Sequence, residues 1–190
     1  PFIGREREIE ELYAALRAAG DGQGGMWWVA GESGVGKARL LDGVRARALV
    51  DGFIVLGGQA VDRGGSPYHV WRLVVSHLLL WTDVSQADAE VLKQIAPDIE
   101  RLSGHPVGDP PLLDPEGTQT RLMLAVEALL RQQNPPVLVL LEDVHWAGSE
   151  SIKLLAWLGQ STSPSRILLV ASFRDDEMPG LVDSIAGARI

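Results

Sequence analysis

Cysteine is absent from this chain of 190 residues. Disulfides, thiolate metal sites and cysteine nucleophiles are thereby excluded. Long hydrophobic runs are missing too. Leu78-Leu79-Leu80-Trp81 is far too short to span a bilayer. No signal-peptide pattern opens the chain, so a cytoplasmic location and no membrane partner are expected. Positive charge is in deficit: 17 Lys and Arg face 25 Asp and Glu, for a net charge of −8. Such a balance is a poor electrostatic match for a polyphosphate backbone, so direct nucleic-acid binding is not expected. The four histidines, His69, His77, His105 and His145, lack the spacing of metal ligands. The chain opens on Pro1-Phe2 rather than Met, and both ends fall close to motifs. A single domain over 1–190, cut from a larger protein, is the expectation.

What is present is ordinary globular material, 46% hydrophobic and 22% charged. The length suffices for a domain with its own core. The densest information lies in Gly31-Glu32-Ser33-Gly34-Val35-Gly36-Lys37-Ala38-Arg39. Met26-Trp27-Trp28-Val29-Ala30 precedes it as a short buried strand, after the glycines of 20–25, which read as a flexible stop. Leu40, Leu41, Val44 and Ala48 follow at helical spacing. Strand, glycine-rich turn and helix are the context of a phosphate-binding loop. Without Cβ atoms the loop can turn successive N–H groups inward, and the helix N-terminus adds positive potential. Lys37 would reach the β- and γ-phosphates as a point charge. The motif calls for Ser or Thr after the lysine, to ligate Mg²⁺, and here stands Ala38.

Elsewhere helices and strands alternate. Ile9, Leu12, Tyr13 and Leu16 mark an amphipathic first helix, and residues 53–59 a second strand. A helix buried on more than one side is expected over 70–81, with short helices around Pro97. Asp114-Pro115 begins another helix, as N-cap and first helical residue. Residues 137–141 and 167–173 are near-continuous apolar runs, as in strands covered on both faces. A helix over 149–157 joins them, and one short helix fits in the remainder to Ile190. The pattern predicts an α/β fold with a parallel sheet, whose ligands bind beyond the carboxyl ends of the strands.

Glu142 and Asp143 end one apolar strand, and Arg174 ends another. Two acids in that position form a Walker B arrangement: Glu142 takes the metal role, and Asp143 polarises the attacking water. Arg174 meets the γ-phosphate, or else is a surface arginine paired with Asp175 or Asp176. Trp146 is expected to pack; for His145 function and packing both remain open.

Phe2-Ile3-Gly4-Arg5-Glu6, residues 31–37, Leu140-Leu141-Glu142-Asp143-Val144-His145-Trp146-Ala147 and Ser172-Phe173-Arg174-Asp175-Asp176-Glu177 together resemble the STAND class of P-loop ATPases, regulatory nucleotide switches close to AAA+ proteins. The resemblance implies a three-layer fold with sheet order 2-3-4-1-5, the fifth strand and a winged-helix lid falling beyond this chain. It implies ATP or ADP with Mg²⁺ as ligands, Phe2, Ile3 and Arg5 beside the adenine, and Arg174 as a sensor. It places such domains in bacterial signalling and transcriptional regulators, beside helical repeats and an effector domain, with oligomerisation on activation. Ala38 departs from the pattern and implies slow or impaired hydrolysis. An interaction scaffold on a degenerate P-loop and a small-molecule phosphotransferase are the alternatives.

Overall fold

The computed structural model describes all residues except 1–4, 63–64, 111–113, 179, 182–184 and 186, and the backbone alone at 188 and 189. Its centre is a parallel sheet of β1 (Gln23–Ala30), β2 (Ile54–Gln59), β3 (Val137–Glu142), β4 (Ser165–Phe173) and β5 (Ala188–Arg189), in the order β2-β3-β4-β1-β5. One face carries α1 (Glu6–Gly20) and α2 (Lys37–Val50). The other carries α3 (Arg72–Leu79), α4 (Gln86–Leu92), α5 (Ile99–Ser103), α6 (Pro115–Arg131) and α7 (Ser149–Ser161).

The two-residue period of a strand sorts the apolar runs between these layers. Leu138 and Leu140 pack toward Leu12, Leu16, Leu40 and Val44 of α1 and α2. Val137, Val139 and Leu141 pack toward the opposite layer, with Leu122, Val126 and Leu155. Both faces are dry, so the run reads as continuously apolar rather than alternating. Trp28 and Phe173 meet edge to face beneath this second layer, with ring centroids 5.7 Å apart. Trp71 is fully buried and its indole donates to the Ser151 carbonyl at 3.1 Å, which satisfies its polar atom.

Four expectations shift. β1 starts at Gln23, so Gly24 and Gly25 lie within the strand rather than in a flexible stop. A Cβ on Gly24 would stand 2.3 Å from the Ile167 carbonyl oxygen, and glycine lets β4 approach closely there. The helix expected over 70–81 begins as a 3-10 turn (His69–Trp71) and continues as α3 to Leu79; its outer face leaves Leu73, Leu80 and Trp81 exposed. The last segment forms no helix among the described residues. It instead supplies β5, whose Ala188 and Arg189 pair with Trp27 and Trp28 of β1. The fifth strand therefore begins within the chain, on the side of β1 away from β4. Among the described residues no helix is long and apolar enough to cross a membrane.

Because β1 lies between β4 and β5, the chain leaving β1 must pass over β4 and β3 before it re-enters the sheet as β2 at the edge. Connections diverge at that point, and a crevice opens beyond the carboxyl ends of the strands.

Candidate functional site

The crevice is a cavity of about 400 Å³ lined by Ser33, Gly34, Gly36, Lys37, Ala38, Arg39, Gln59, Glu142, Asp143, Ser172 and Arg174. It joins the loop after β1, the N-terminus of α2 and the ends of β2, β3 and β4. Gly34 and Gly36 have φ of 79° and 93°, and the space a Cβ would fill at either is open. The left-handed backbone demands glycine, and the open space suits a bound group pressed against the loop. Gly36 is the N-cap of α2, and the first bond of the helix runs from Leu40 N–H to the Gly36 carbonyl at 3.1 Å. No side chain caps this end among the described residues. The helix terminus thus turns donors and positive potential toward the cavity.

Lys37 is only 9% exposed, and its Nζ donates to the carbonyls of Gly31 at 2.6 Å and Glu32 at 2.8 Å. Burial pushes its pKa below the usual lysine range, opposed by Asp143 and reinforced by Arg174. Lys37, Asp143 and Arg174 thus share one electrostatic environment. Ala38 lines the cavity with a methyl group and no oxygen.

Glu142 and Asp143 project differently. Glu142 accepts from Arg45 of α2, Oε1 to Nη2 3.3 Å, and burial raises its pKa above the usual carboxylate range while Arg45 opposes that. Asp143 has φ 56° and ψ 39°, a left-handed conformation that aspartate tolerates. Its N–H donates to Ser172 Oγ at 3.2 Å, and its Oδ2 accepts from Gln59 Nε2 at 3.1 Å. Ser172 is buried, so this bond also satisfies a polar group inside the sheet.

Arg174 follows β4 and donates to Glu177 rather than to Asp175 or Asp176 as a surface pair would have it. Its guanidinium lies 5.1 Å from the centre of the Trp146 ring. His145, whose function the sequence left open, has a wholly buried side chain. Desolvation holds its pKa below the ordinary histidine value.

The structure therefore brings Ser33, Gly34, Gly36, Lys37, Ala38, Arg39, Glu142, Asp143 and Arg174 to one cavity. Gly31 and Glu32 serve through their carbonyls, and Val35 is an exposed loop residue. Arg5 stands at the N-cap of α1. Phe2 and Ile3 lie outside the described residues. Gln59, Ser172, Arg45 and Glu177 were not anticipated. Gln59 and Ser172 were legible only as strand residues, although a polar residue at the carboxyl end of a parallel strand is itself a signal.

A glycine loop between the central β1 and α2, facing acids on β3, defines a P-loop nucleotide-binding fold. The AAA ATPase domain family model matches residues 1–170, and the chain belongs to that family. Among solved structures, Cdc6p from Pyrobaculum aerophilum is similar over 100% of this chain and 45% of its own, at 14% identity and a TM-score of 0.55. The Drosophila ORC bound to AT-rich DNA and Cdc6 is similar over 96% of this chain and 54% of its own, at 13% identity and a TM-score of 0.43. A DNA replication initiation factor is similar over 100% of this chain and 47% of its own, at 16% identity and a TM-score of 0.46. The likeness to the Pyrobaculum aerophilum Cdc6p supports the fold; the other two carry no argument. The chain spans about half the length of these structures. No curated protein matches the sequence.

Proposed function

We propose that this domain is the ATP- and ADP-binding switch of a STAND-type signalling ATPase, with slow hydrolysis. The observation that carries the reading is the meeting of Lys37, Asp143, Glu142 and Arg174 around one glycine-lined cavity at the sheet's carboxyl edge. Charge of both signs in a crevice of that size suits a nucleotide polyphosphate with its cation, and suits an apolar ligand poorly.

The donor set fits Mg²⁺. That ion keeps several waters and takes one or two carboxylates besides phosphate oxygens, and adjacent carboxylates line the cavity at Glu142 and Asp143. Glu142 would hold the ion, and Asp143 would orient the attacking water. Bound Mg²⁺ would supply counter-charge to the β- and γ-phosphates. Lys37 exchanges its loop carbonyls for phosphate oxygens, and Arg174 meets the terminal phosphate. The hydroxyl missing at Ala38 costs orientation more than binding, because water can take its place but is not fixed by the helix. Arg5, with Phe2 and Ile3, would flank the base.

In the whole protein the partners would be a winged helix, helical repeats and an effector domain, with oligomerisation on activation. With a net charge of −8 the domain itself is not proposed to hold nucleic acid.

The test is titration of ADP and a non-hydrolysable ATP analogue against the wild-type protein and Lys37→Ala. Loss of one charge-assisted contact should weaken both by about tenfold or more. Equal affinities would reject the assignment of the nucleotide to the Lys37 pocket, and no binding by the wild type would leave a P-loop scaffold that holds no nucleotide.

A further inference from the structure

Arg174 stands between the P-loop cavity and one carboxylate acceptor, Glu177. The arginine is one of the residues that line that cavity. The turn after β4, closed by the Met178 N–H donating to the Arg174 carbonyl at 3.1 Å, brings Glu177 back against the arginine's guanidinium. Glu177 does not line the cavity among the described residues. Its carboxylate is also fixed from elsewhere: Oε2 accepts from Trp146 Nε1 at 3.1 Å and lies 3.5 Å from His145 Nε2. The His145 and Trp146 rings lie 4.6 Å apart, and the Trp146 ring is the one beside the guanidinium. Arg174 thus donates to a carboxylate and lies over an indole ring, and both come from segments that flank the cavity.

We propose that Glu177 is a positioning residue that competes with the terminal phosphate for Arg174, and so sets the preference of the site between triphosphate and diphosphate. The inference rests on the nucleotide-binding reading above. A carboxylate carries one charge, and a γ-phosphate presents more charge and three oxygens, so a triphosphate can draw the guanidinium away. A diphosphate lacks the group that would compete, and Arg174 stays with Glu177 and Trp146. Part of the energy of a triphosphate contact is then spent on breaking the resident pair, and affinity falls in proportion. Glu177 keeps its bond from Trp146 in either case, so its carboxylate is not stranded when the arginine leaves.

The experiment is a double-mutant cycle on the full chain that carries this domain. Calorimetry with Mg²⁺ measures ADP and a non-hydrolysable ATP analogue on wild type, Glu177→Gln, Arg174→Ala and the double variant. Glu177→Gln keeps the size of the side chain and weakens its hold on Arg174. It should tighten the triphosphate by about five- to tenfold and leave ADP within about twofold. In the Arg174→Ala background the same change should do nothing. An equal shift for both nucleotides, or a triphosphate gain that survives without Arg174, overturns the competition and leaves Glu177 a structural residue of the turn. Glu177→Ala, checked by circular dichroism, replaces Glu177→Gln if the amide disturbs the turn, with the same expectation. Failure of the wild type to bind either nucleotide overturns the nucleotide reading and this inference together, an outcome distinct from nucleotide binding without selectivity.

Discussion

Gln59 at the end of β2 donates its side-chain amide to Asp143, just past β3, Nε2 to Oδ2 at 3.1 Å, across 84 positions of sequence. The parallel register that sets Gln59 opposite Glu142 makes this contact possible. With Ser172 Oγ accepting the Asp143 N–H, the aspartate is fixed from both neighbouring strands. If Asp143 orients the attacking water, Gln59→Ala should lower ATP turnover in the full protein by about tenfold through lost orientation. ADP affinity should stay within about twofold, because the amide touches no phosphate in this assignment. Steady-state phosphate release beside an ADP titration checks both; a loss of affinity equal to the loss of rate would contradict the assignment.

Ala38 lies on the cavity wall, where a hydroxyl could reach a metal ion. Ala38→Thr should strengthen Mg·ATP binding relative to metal-free ATP by one ligand's worth, on the order of 1–3 kcal/mol. Affinity in EDTA should hardly change, and turnover in the full protein should rise more than affinity. The decisive quantity is the Mg²⁺ dependence of ATP affinity in both forms. Coinciding dependences would show that position 38 does not face the ion.

His145 is buried and its pKa lies below the ordinary value, chiefly through desolvation; Arg174 and Lys37 add to the effect, and Glu177 and Asp143 oppose it. In the unfolded chain the imidazole takes up its proton near pH 6.5. In the fold it does so only at lower pH, so between the two the unfolded state binds more protons. Stability therefore rises with pH through that window and is lost as the pH falls below about 6.5. Glu142, whose pKa is raised, contributes the opposite slope above the usual carboxylate range. The difference between wild type and His145→Phe isolates the histidine. Urea midpoints at pH 5.5, 6.5 and 7.5 should converge toward low pH as the wild type loses stability faster; parallel curves would mean that folding leaves the imidazole pKa unshifted.

Two glycines should respond to alanine for different reasons. At Gly36, with φ 93° and open space around the new Cβ, the cost is conformational, about 1–2 kcal/mol, and falls on the phosphate loop. At Gly24 the Cβ would meet the Ile167 carbonyl oxygen at 2.3 Å, so the β1–β4 pairing must give way. Gly24→Ala should lower the thermal midpoint more than Gly36→Ala, and Gly36→Ala should weaken nucleotide binding more than Gly24→Ala. Melting curves and ADP titrations of the two variants decide it; the reverse ranking in either would refute the argument.

The sequence by itself determined the parts of this protein that local chemistry dictates. The P-loop, the N-cap Asp114 with Pro115 in the first turn of α6, and the apolar runs of β3 and β4 were legible because each rests on near neighbours: a left-handed glycine turn, a side chain that caps its own helix, a strand that must be dry on both faces. The carboxyl-edge placement of Glu142, Asp143 and Arg174 followed from the alternation of strands and helices. Tertiary structure alone decided which side chain holds which. Arg45 with Glu142, Gln59 with Asp143 and the indole of Trp146 with Glu177 depend on strand register and on the path of a turn. The same holds for Gly24, whose place inside β1 comes from the approach of β4, and for β5, two residues that are a strand only because the edge of β1 lies beside them. Periodicity records which face of an element is buried; it holds no record of the neighbour that buries it.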